Sequence, residues 1–130
     1  MEIRTVTTQN APPAIGPYSQ AVIAGEFIFC SGQIPLNANG ELVQGDIKKQ
    51  TRQVIHNLSA VLKAGQSSLD RVVSVTVYLS TIHHFAEFNE AYAEFFTHNV
   101  PARTVVESSH LPKTAHIEMD CIAHCGEEKI

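Results

Sequence analysis

Two charged residues in the last third of the chain, Arg103 and Glu118, have the side-chain types needed to act on a small acid. Arg103 lies just before the apolar pair Val105 and Val106, in a stretch typical of a short strand. A guanidinium offers two parallel N–H donors that match a carboxylate, so Arg103 is a candidate carboxylate clamp. The alternative is a structural arginine paired with Glu107 or another carboxylate, which is the more common arrangement beside a core.

Glu118 lies in a segment, residues 116–121, in which polar and apolar residues alternate. Alternation places the apolar residues on the core face of a strand, so Glu118 and Asp120 share the opposite face. A carboxylate aimed into a small pocket can orient a water molecule and move its protons. The alternative is a solvated sheet face that carries two surface carboxylates, and on pattern alone this is the more common case.

Ser31 and Gly32 form a third candidate feature, a loop shortly before Pro35. Glycine lets a backbone approach closely, and free N–H groups in such a loop can bind an anion. Serine and glycine before a proline are also ordinary turn chemistry, so this motif alone is weak.

The histidine and cysteine spacings predict no metal site. Cys121, His124 and Cys125 are close in sequence, but alternation along a strand points His124 away from the two thiols. The chain has no Cys-x-x-Cys pair of the kind that binds zinc. Cys30 lies inside a predicted strand, where we expect a small core residue and no nucleophile.

Composition narrows the class of partner. The chain has 130 residues, the size of one ordinary domain, and we expect residues 1–130 to form a single domain. Its net charge is −4, and its 9 Lys and Arg residues form no cluster. This disfavours nucleic acid as a partner, because basic side chains drive that binding. Three cysteines, no signal segment and no apolar run of membrane-spanning length predict reduced thiols and a cytoplasmic location.

The first half of the chain predicts three strands and a helix. A short strand near residues 3–7 precedes a hairpin of residues 18–24 and 27–31, joined by a Gly-X turn. Asp46 is a good N-cap for the amphipathic helix that follows. Gly65 lies where a helix C-cap favours a residue that tolerates positive φ.

The second half predicts a strand at Val72–Leu79, with Val73 among its core-facing residues, then a helix, then strands at 103–107 and 116–124. The helix carries an aromatic stripe, typical of core packing, at Phe85, Phe88, Tyr92, Phe95 and Phe96. The order β-β-β-α-β-α-β-β predicts an α+β fold, a mixed sheet with both helices on one face. The other face has little to cover it, which predicts self-association.

Four segments at matching separations resemble one family over nearly the whole chain, the RidA (YjgF-like) reactive intermediate/imine deaminases. They are Ala14-Ile15-Gly16-Pro17-Tyr18-Ser19-Gln20-Ala21, Cys30-Ser31-Gly32-Gln33-Ile34-Pro35, Pro101-Ala102-Arg103-Thr104-Val105-Val106-Glu107, and Leu111-Pro112-Lys113 followed by Ile117-Glu118-Met119. The resemblance implies a chorismate-mutase-like α+β fold and a homotrimer with pockets at the subunit interfaces. It also implies hydrolysis of enamine and imine intermediates such as 2-aminoacrylate to 2-oxo acids and ammonia, which protects pyridoxal-phosphate enzymes, with no metal or organic cofactor.

The resemblance also implies a role for each site residue. Arg103 matches the arginine that binds the substrate carboxylate, and Glu118 matches the glutamate that holds the reactive water. Tyr18 matches a tyrosine that a neighbouring subunit contributes, while Ser31 and Gly32 match the loop that lines the carboxylate site. Many members carry a cysteine at the position of Val105; the implied role there is a backbone N–H, which valine keeps.

Two other functions remain open from the sequence. One is a regulator that binds 2-oxo acids without turnover; Glu118 counts against it, because carboxylate binding needs no second carboxylate. The other is an endoribonuclease or translation inhibitor, an activity attributed to some relatives. The acidic pI of about 5.9 and the lack of a basic patch count against it.

Overall fold

The computed structural model describes residues 2–126, which form one six-stranded mixed sheet and two helices. The elements follow the predicted order: β1 Ile3–Val6, β2 Ala21–Ala24, β3 Phe27–Gln33, α1 Ile47–Ala64, β4 Val72–Leu79, α2 Phe85–Ala93, β5 Ala102–Glu107 and β6 Ile117–His124. The strand order across the sheet is β1-β2-β3-β6-β4-β5. Strands β4 and β5 pair in parallel, so α2 forms the crossover that a parallel pair requires; the other pairs are antiparallel.

The early hairpin differs from its prediction where its first strand begins. Its first strand starts at Ala21, not residue 18, because Tyr18 N–H turns back to the Gly16 carbonyl. The buried Gln20 side chain ties the preceding segment together: its Nε2 donates to the Pro12 carbonyl at 2.8 Å. The Tyr18 N–H, and the Ser19 carbonyl that accepts from the Ser31 hydroxyl at 2.6 Å, are thus unavailable to the strand ladder, and residues 18–20 remain outside the sheet.

Helix α1 begins and ends where the sequence predicts, but Gly65 has a different reason to be glycine. Asp46 Oδ1 accepts a hydrogen bond from Lys49 N–H at 2.9 Å, as an N-cap should. Gly65 has φ −93°, and the left-handed residue is the following Gln66, with φ 63°. A Cβ on Gly65 would displace the tip of the buried Ile28 side chain, so glycine there lets the end of α1 pack closely on the sheet.

The core lies between one face of the sheet and the two helices. Strand β4 contributes Val75, Val77 and Leu79, each at most 1% exposed. Val73, expected beside them, is 45% exposed, because a register shift between Val72 and Ser74 turns it outward. The aromatic stripe is confirmed as core at Phe88, Tyr92 and Phe96, whereas Phe95 is partly buried and Phe85 is exposed.

The opposite sheet face has no helix over it in the described part of the chain. It carries the polar residues Ser74, Thr76, Tyr78, Glu118 and Asp120 and the exposed apolar residues Phe29, Val73 and Val106. Neither helix of residues 2–126 is long and apolar enough to cross a membrane.

Candidate active site

Four of the residues chosen from the sequence meet in one cavity of about 520 Å³. They are Tyr18, Ser31, Gly32 and Glu118. The other lining residues are largely apolar: Pro12, Pro13, Ile15, Gln33, Ile34, Leu36, Pro112 and Lys113. A mostly apolar concave surface with a few converging polar groups is typical of a small-molecule site.

Glu118 is the central polar group of this cavity. It is half-buried on β6, and its carboxylate lies so close to Gly32 that a Cβ on Gly32 would strike Glu118 Oε2. Burial, and next the charge of Asp120, raise the pKa of the Glu118 carboxyl above its usual range. A carboxyl group whose pKa lies closer to neutral is a better proton carrier at physiological pH.

Asp120 has a different set of contacts on the same face. Tyr78, the cross-strand neighbour of Glu118 on β4, donates its hydroxyl to Asp120 Oδ2 at 3.3 Å. Burial raises the pKa of Asp120, and hydrogen bonds from Tyr78 and Thr76 oppose that rise. Asp120 does not line the cavity, so of the two carboxylates only Glu118 is placed to meet a ligand there.

The loop residues are held by short local contacts. Ser31 Oγ donates to the Ser19 carbonyl at 2.6 Å, and Ser31 N–H donates to the Gln20 carbonyl at 2.9 Å. The Ser31 hydroxyl therefore fixes the loop at the wall of the cavity. Tyr18 lines the cavity within the same chain as Glu118, whereas the resemblance implied a tyrosine from a neighbouring subunit. It is 50% exposed, which leaves its ring free to contact a ligand or a second chain.

Arg103 lies elsewhere, on the helix side of the edge strand β5. Its Cζ is 4.8 Å from the centre of the Tyr92 ring, 5.4 Å from that of Phe88 and 5.8 Å from that of Phe85. The predicted pair with Glu107 is not formed, because Glu107 Oε1 accepts from Ile82 N–H at 2.8 Å. Within residues 2–126 no carboxylate pairs with Arg103, so its donors remain available.

The sheet register places Arg103 and Glu118 on opposite faces. Arg103 pairs with Val75, a core residue, whereas Glu118 pairs with Tyr78 on the uncovered face. Directly paired residues share a face, so within one chain the guanidinium does not enter the Glu118 cavity. Val105 lies on the same face of the sheet as Arg103, because it pairs with the buried Val77 and packs against the core.

The cysteines occupy the core, as predicted for Cys30. Cys30 and Cys121 are direct cross-strand partners and both are buried. The hydrogen bond to Cys30, and then burial, raise the pKa of the Cys121 thiol, which disfavours the reactive thiolate. His124 points to the other face, where its ring packs edge-on against Phe27. Among residues 2–126 no three His, Cys, Asp or Glu side chains are grouped to hold a metal.

Sequence reasoning missed one charged residue of the cavity, Lys113. The residue belongs to the Leu111-Pro112-Lys113 motif, so a signal was present, but its conformation was not predictable. Lys113 has φ 56° and ψ 27°, and Thr114 also has positive φ, at 57°. Two consecutive left-handed residues without glycine are uncommon, and they form the tight turn that brings Lys113 to the cavity.

The fold and the cavity define a small α+β protein with an acidic residue set in an apolar pocket. The family model described as Endoribonuclease L-PSP matches residues 8–125. A RutC family protein from Pyrococcus horikoshii is 53% identical over 120 residues, which cover 92% of this chain and 95% of that protein. The chain therefore belongs to this family, the RidA (YjgF-like) family that its motifs indicate.

Solved structures of relatives share the fold over most of the chain. RidA from the Antarctic bacterium Psychrobacter sp. PAMC 21119 has a TM-score of 0.89 at 36% identity, covering 93% of this chain and 98% of that one. TdcF from E. coli, solved with bound serine, has a TM-score of 0.90 at 35% identity, covering 95% of this chain and 99% of that one.

Proposed function

We propose that this protein is an enamine/imine deaminase that hydrolyses 2-aminoacrylate and related intermediates to 2-oxo acids and ammonia. The observation that carries the proposal is the Glu118 carboxylate, half-buried against Gly32 in an apolar cavity, with a raised pKa. A binding site for a small acid has no need of a second buried carboxylate, whereas hydrolysis needs a group that accepts and returns a proton. In a cell, this activity would protect pyridoxal-phosphate enzymes from their reactive products.

The proposed site is completed by a second copy of the chain. Glu118, Tyr18, Ser31 and Gly32 gather on one surface, while Arg103 lies at an edge strand on the other side of the sheet. The exposed outer face carries Phe29, Val73 and Val106, which an assembly would bury. We propose a homotrimer, because a cyclic arrangement lets each copy offer Arg103 to one neighbour and its cavity to the other.

The reaction would proceed through the imine tautomer of the substrate. Arg103 of one copy would hold the carboxylate, since a guanidinium keeps its charge and its two donors in a fixed geometry. Glu118 would accept a proton from water as the water oxygen bonds to C2 and the C=N electron pair moves to nitrogen. Glu118 would then return the proton to nitrogen, which gives a carbinolamine. In the last step Glu118 would move the hydroxyl proton of the carbinolamine to that nitrogen, and the C–N bond breaks to release ammonia as the hydroxyl oxygen becomes the carbonyl of the 2-oxo acid. No step requires a metal or an organic cofactor.

Relatives support a ligand of this class. The TdcF structure holds serine, a small acid with a nitrogen on C2 beside its carboxylate, as an imino acid also has. The same observation favours a second candidate, a binding protein that holds amino or 2-oxo acids without turnover. The family description names an endoribonuclease, but the net charge of −4 counts against a nucleic-acid substrate here. The cytoplasmic location stays a prediction.

The direct test is an assay in which a pyridoxal-phosphate dehydratase releases 2-aminoacrylate from serine. We expect pyruvate to form faster in the presence of this protein than from spontaneous hydrolysis alone, with serine consumption held constant. Boiled protein supplies the control for added mass and buffer. Identical pyruvate traces with and without the folded protein would remove the deaminase proposal and leave the binding protein.

A further inference from the structure

We propose that Lys113 makes this site select imino acids with a second, distal carboxylate, such as those derived from glutamate. The inference rests on the proposed function, because it concerns the substrate class of the same cavity. Its basis is the charge of the cavity lining: among the described residues, that lining holds one carboxylate, Glu118, and one cation, Lys113.

The ammonium of Lys113 is available to a ligand. Within residues 2–126 the ion pairs join α1 to α2 through Lys48 with Glu90, and α1 to the residue after α2 through Arg52 with Glu94. Lys113 forms no ion pair with Glu118, although both line the same cavity. A cation beside an apolar cavity that no carboxylate of residues 2–126 neutralises is suited to bind an anionic group of a ligand.

The backbone fixes Lys113 at the cavity. Pro112 restricts the chain before it, and the buried Ala115 donates its N–H back to the Pro112 carbonyl at 3.1 Å. Between them Lys113 and Thr114 both adopt the left-handed conformation, which costs free energy for residues with a Cβ. Such conformations persist when the surrounding structure determines them, and they concentrate at ligand sites.

The position of Arg103 leaves this cation for the distal group. In the proposed assembly the first carboxylate is held by Arg103 of a second copy, so Lys113 is not needed there. A distal carboxylate would also be repelled by Glu118, and a nearby ammonium offsets that repulsion.

The test compares the affinities of two product acids, pyruvate and 2-oxoglutarate, by titration calorimetry on the assembled protein. We expect wild type to prefer 2-oxoglutarate and Lys113→Met to reduce that preference by up to about five-fold, the range for an exposed charge contact. Rising salt should reduce the wild-type preference in the same direction. Lys49→Met, which removes an exposed lysine of α1 outside the cavity, is the matched control and should keep the wild-type ratio.

Two results would overturn the inference alone. An unchanged affinity ratio in Lys113→Met, with both acids weakened equally, would mean that Lys113 holds the first carboxylate itself. An unchanged ratio with neither acid weakened would mean that Lys113 contacts no ligand. Wild-type protein that fails to speed pyruvate release in the dehydratase-coupled assay would instead remove the proposed function, and the inference with it.

Discussion

Glu118→Gln should lower the turnover of 2-aminoacrylate by about 10²-fold or more, the usual effect of losing a positioned acid/base. Glutamine keeps the size of the side chain but cannot accept and return a proton. Arg103 and the Ser31-Gly32 loop remain, so the affinity for pyruvate or 2-oxobutyrate, measured by calorimetry, should change little. The dehydratase-coupled pyruvate assay measures the turnover.

Asp120→Asn is the control for the Glu118 substitution. Asp120 lies on the same face but outside the cavity, and its charge raises the pKa of Glu118. Its removal should lower that pKa, so the acid limb of the kcat/KM profile should move to lower pH while most turnover is kept. Equal losses in both variants would show that the negative field of the face matters and the water contact does not. Loss in neither would leave the mechanism without a proton carrier.

Arg103→Ala should abolish both turnover and the binding of 2-oxo acids. Hydrogen bonds to charged groups are worth roughly 1.5–3 kcal/mol each, and a bidentate clamp contributes two of them. Arg103→Lys should recover little, although an ammonium can still lie over the Tyr92 and Phe88 rings, because it lacks the two-pronged donor geometry. Calorimetry with pyruvate and the coupled assay measure the two losses.

The thermal stability of each Arg103 variant must also be measured, because the Arg103 side chain packs on α2. A folded Arg103→Ala protein with full activity would show that the carboxylate clamp lies elsewhere. An unfolded one would favour the structural alternative, with the aromatic rings as the partner in place of Glu107. A lysine variant that folds normally but fails to bind would separate the clamp from the packing.

Much of the fold could be predicted because its determinants are local. Asp46 caps α1 through its own side chain, and the alternation of β6 alone assigns Glu118 to the outer face. The predictions were wrong where contacts between residues far apart in sequence determine the local structure. The bulge that exposes Val73 depends on pairing with β6, and the close packing at Gly65 depends on Ile28, a residue far away in sequence.

The candidate site was predictable in its residues but not in its arrangement. Alternation cannot relate Arg103 to Glu118, because their faces are fixed by the register of β4 with both β5 and β6. The role of Lys113 depends on a left-handed turn, and lysine and threonine are residue types that do not predict such a turn. The family resemblance implies the interface pocket that we propose, and the opposite faces of Arg103 and Glu118 give a physical reason for it.

Complementation between two inactive variants tests the central claim, a deaminase site shared between copies of the chain, most directly. Arg103→Ala and Glu118→Gln would be co-expressed with different tags and purified through both, with sedimentation equilibrium used to verify the assembly. In each mixed cyclic trimer about one interface in three joins an intact Arg103 to an intact Glu118. We therefore predict about a third of wild-type turnover in the coupled assay, although each variant alone is inactive. Mixed assemblies no more active than the separate variants, or a protein that sediments only as a monomer, would contradict the account.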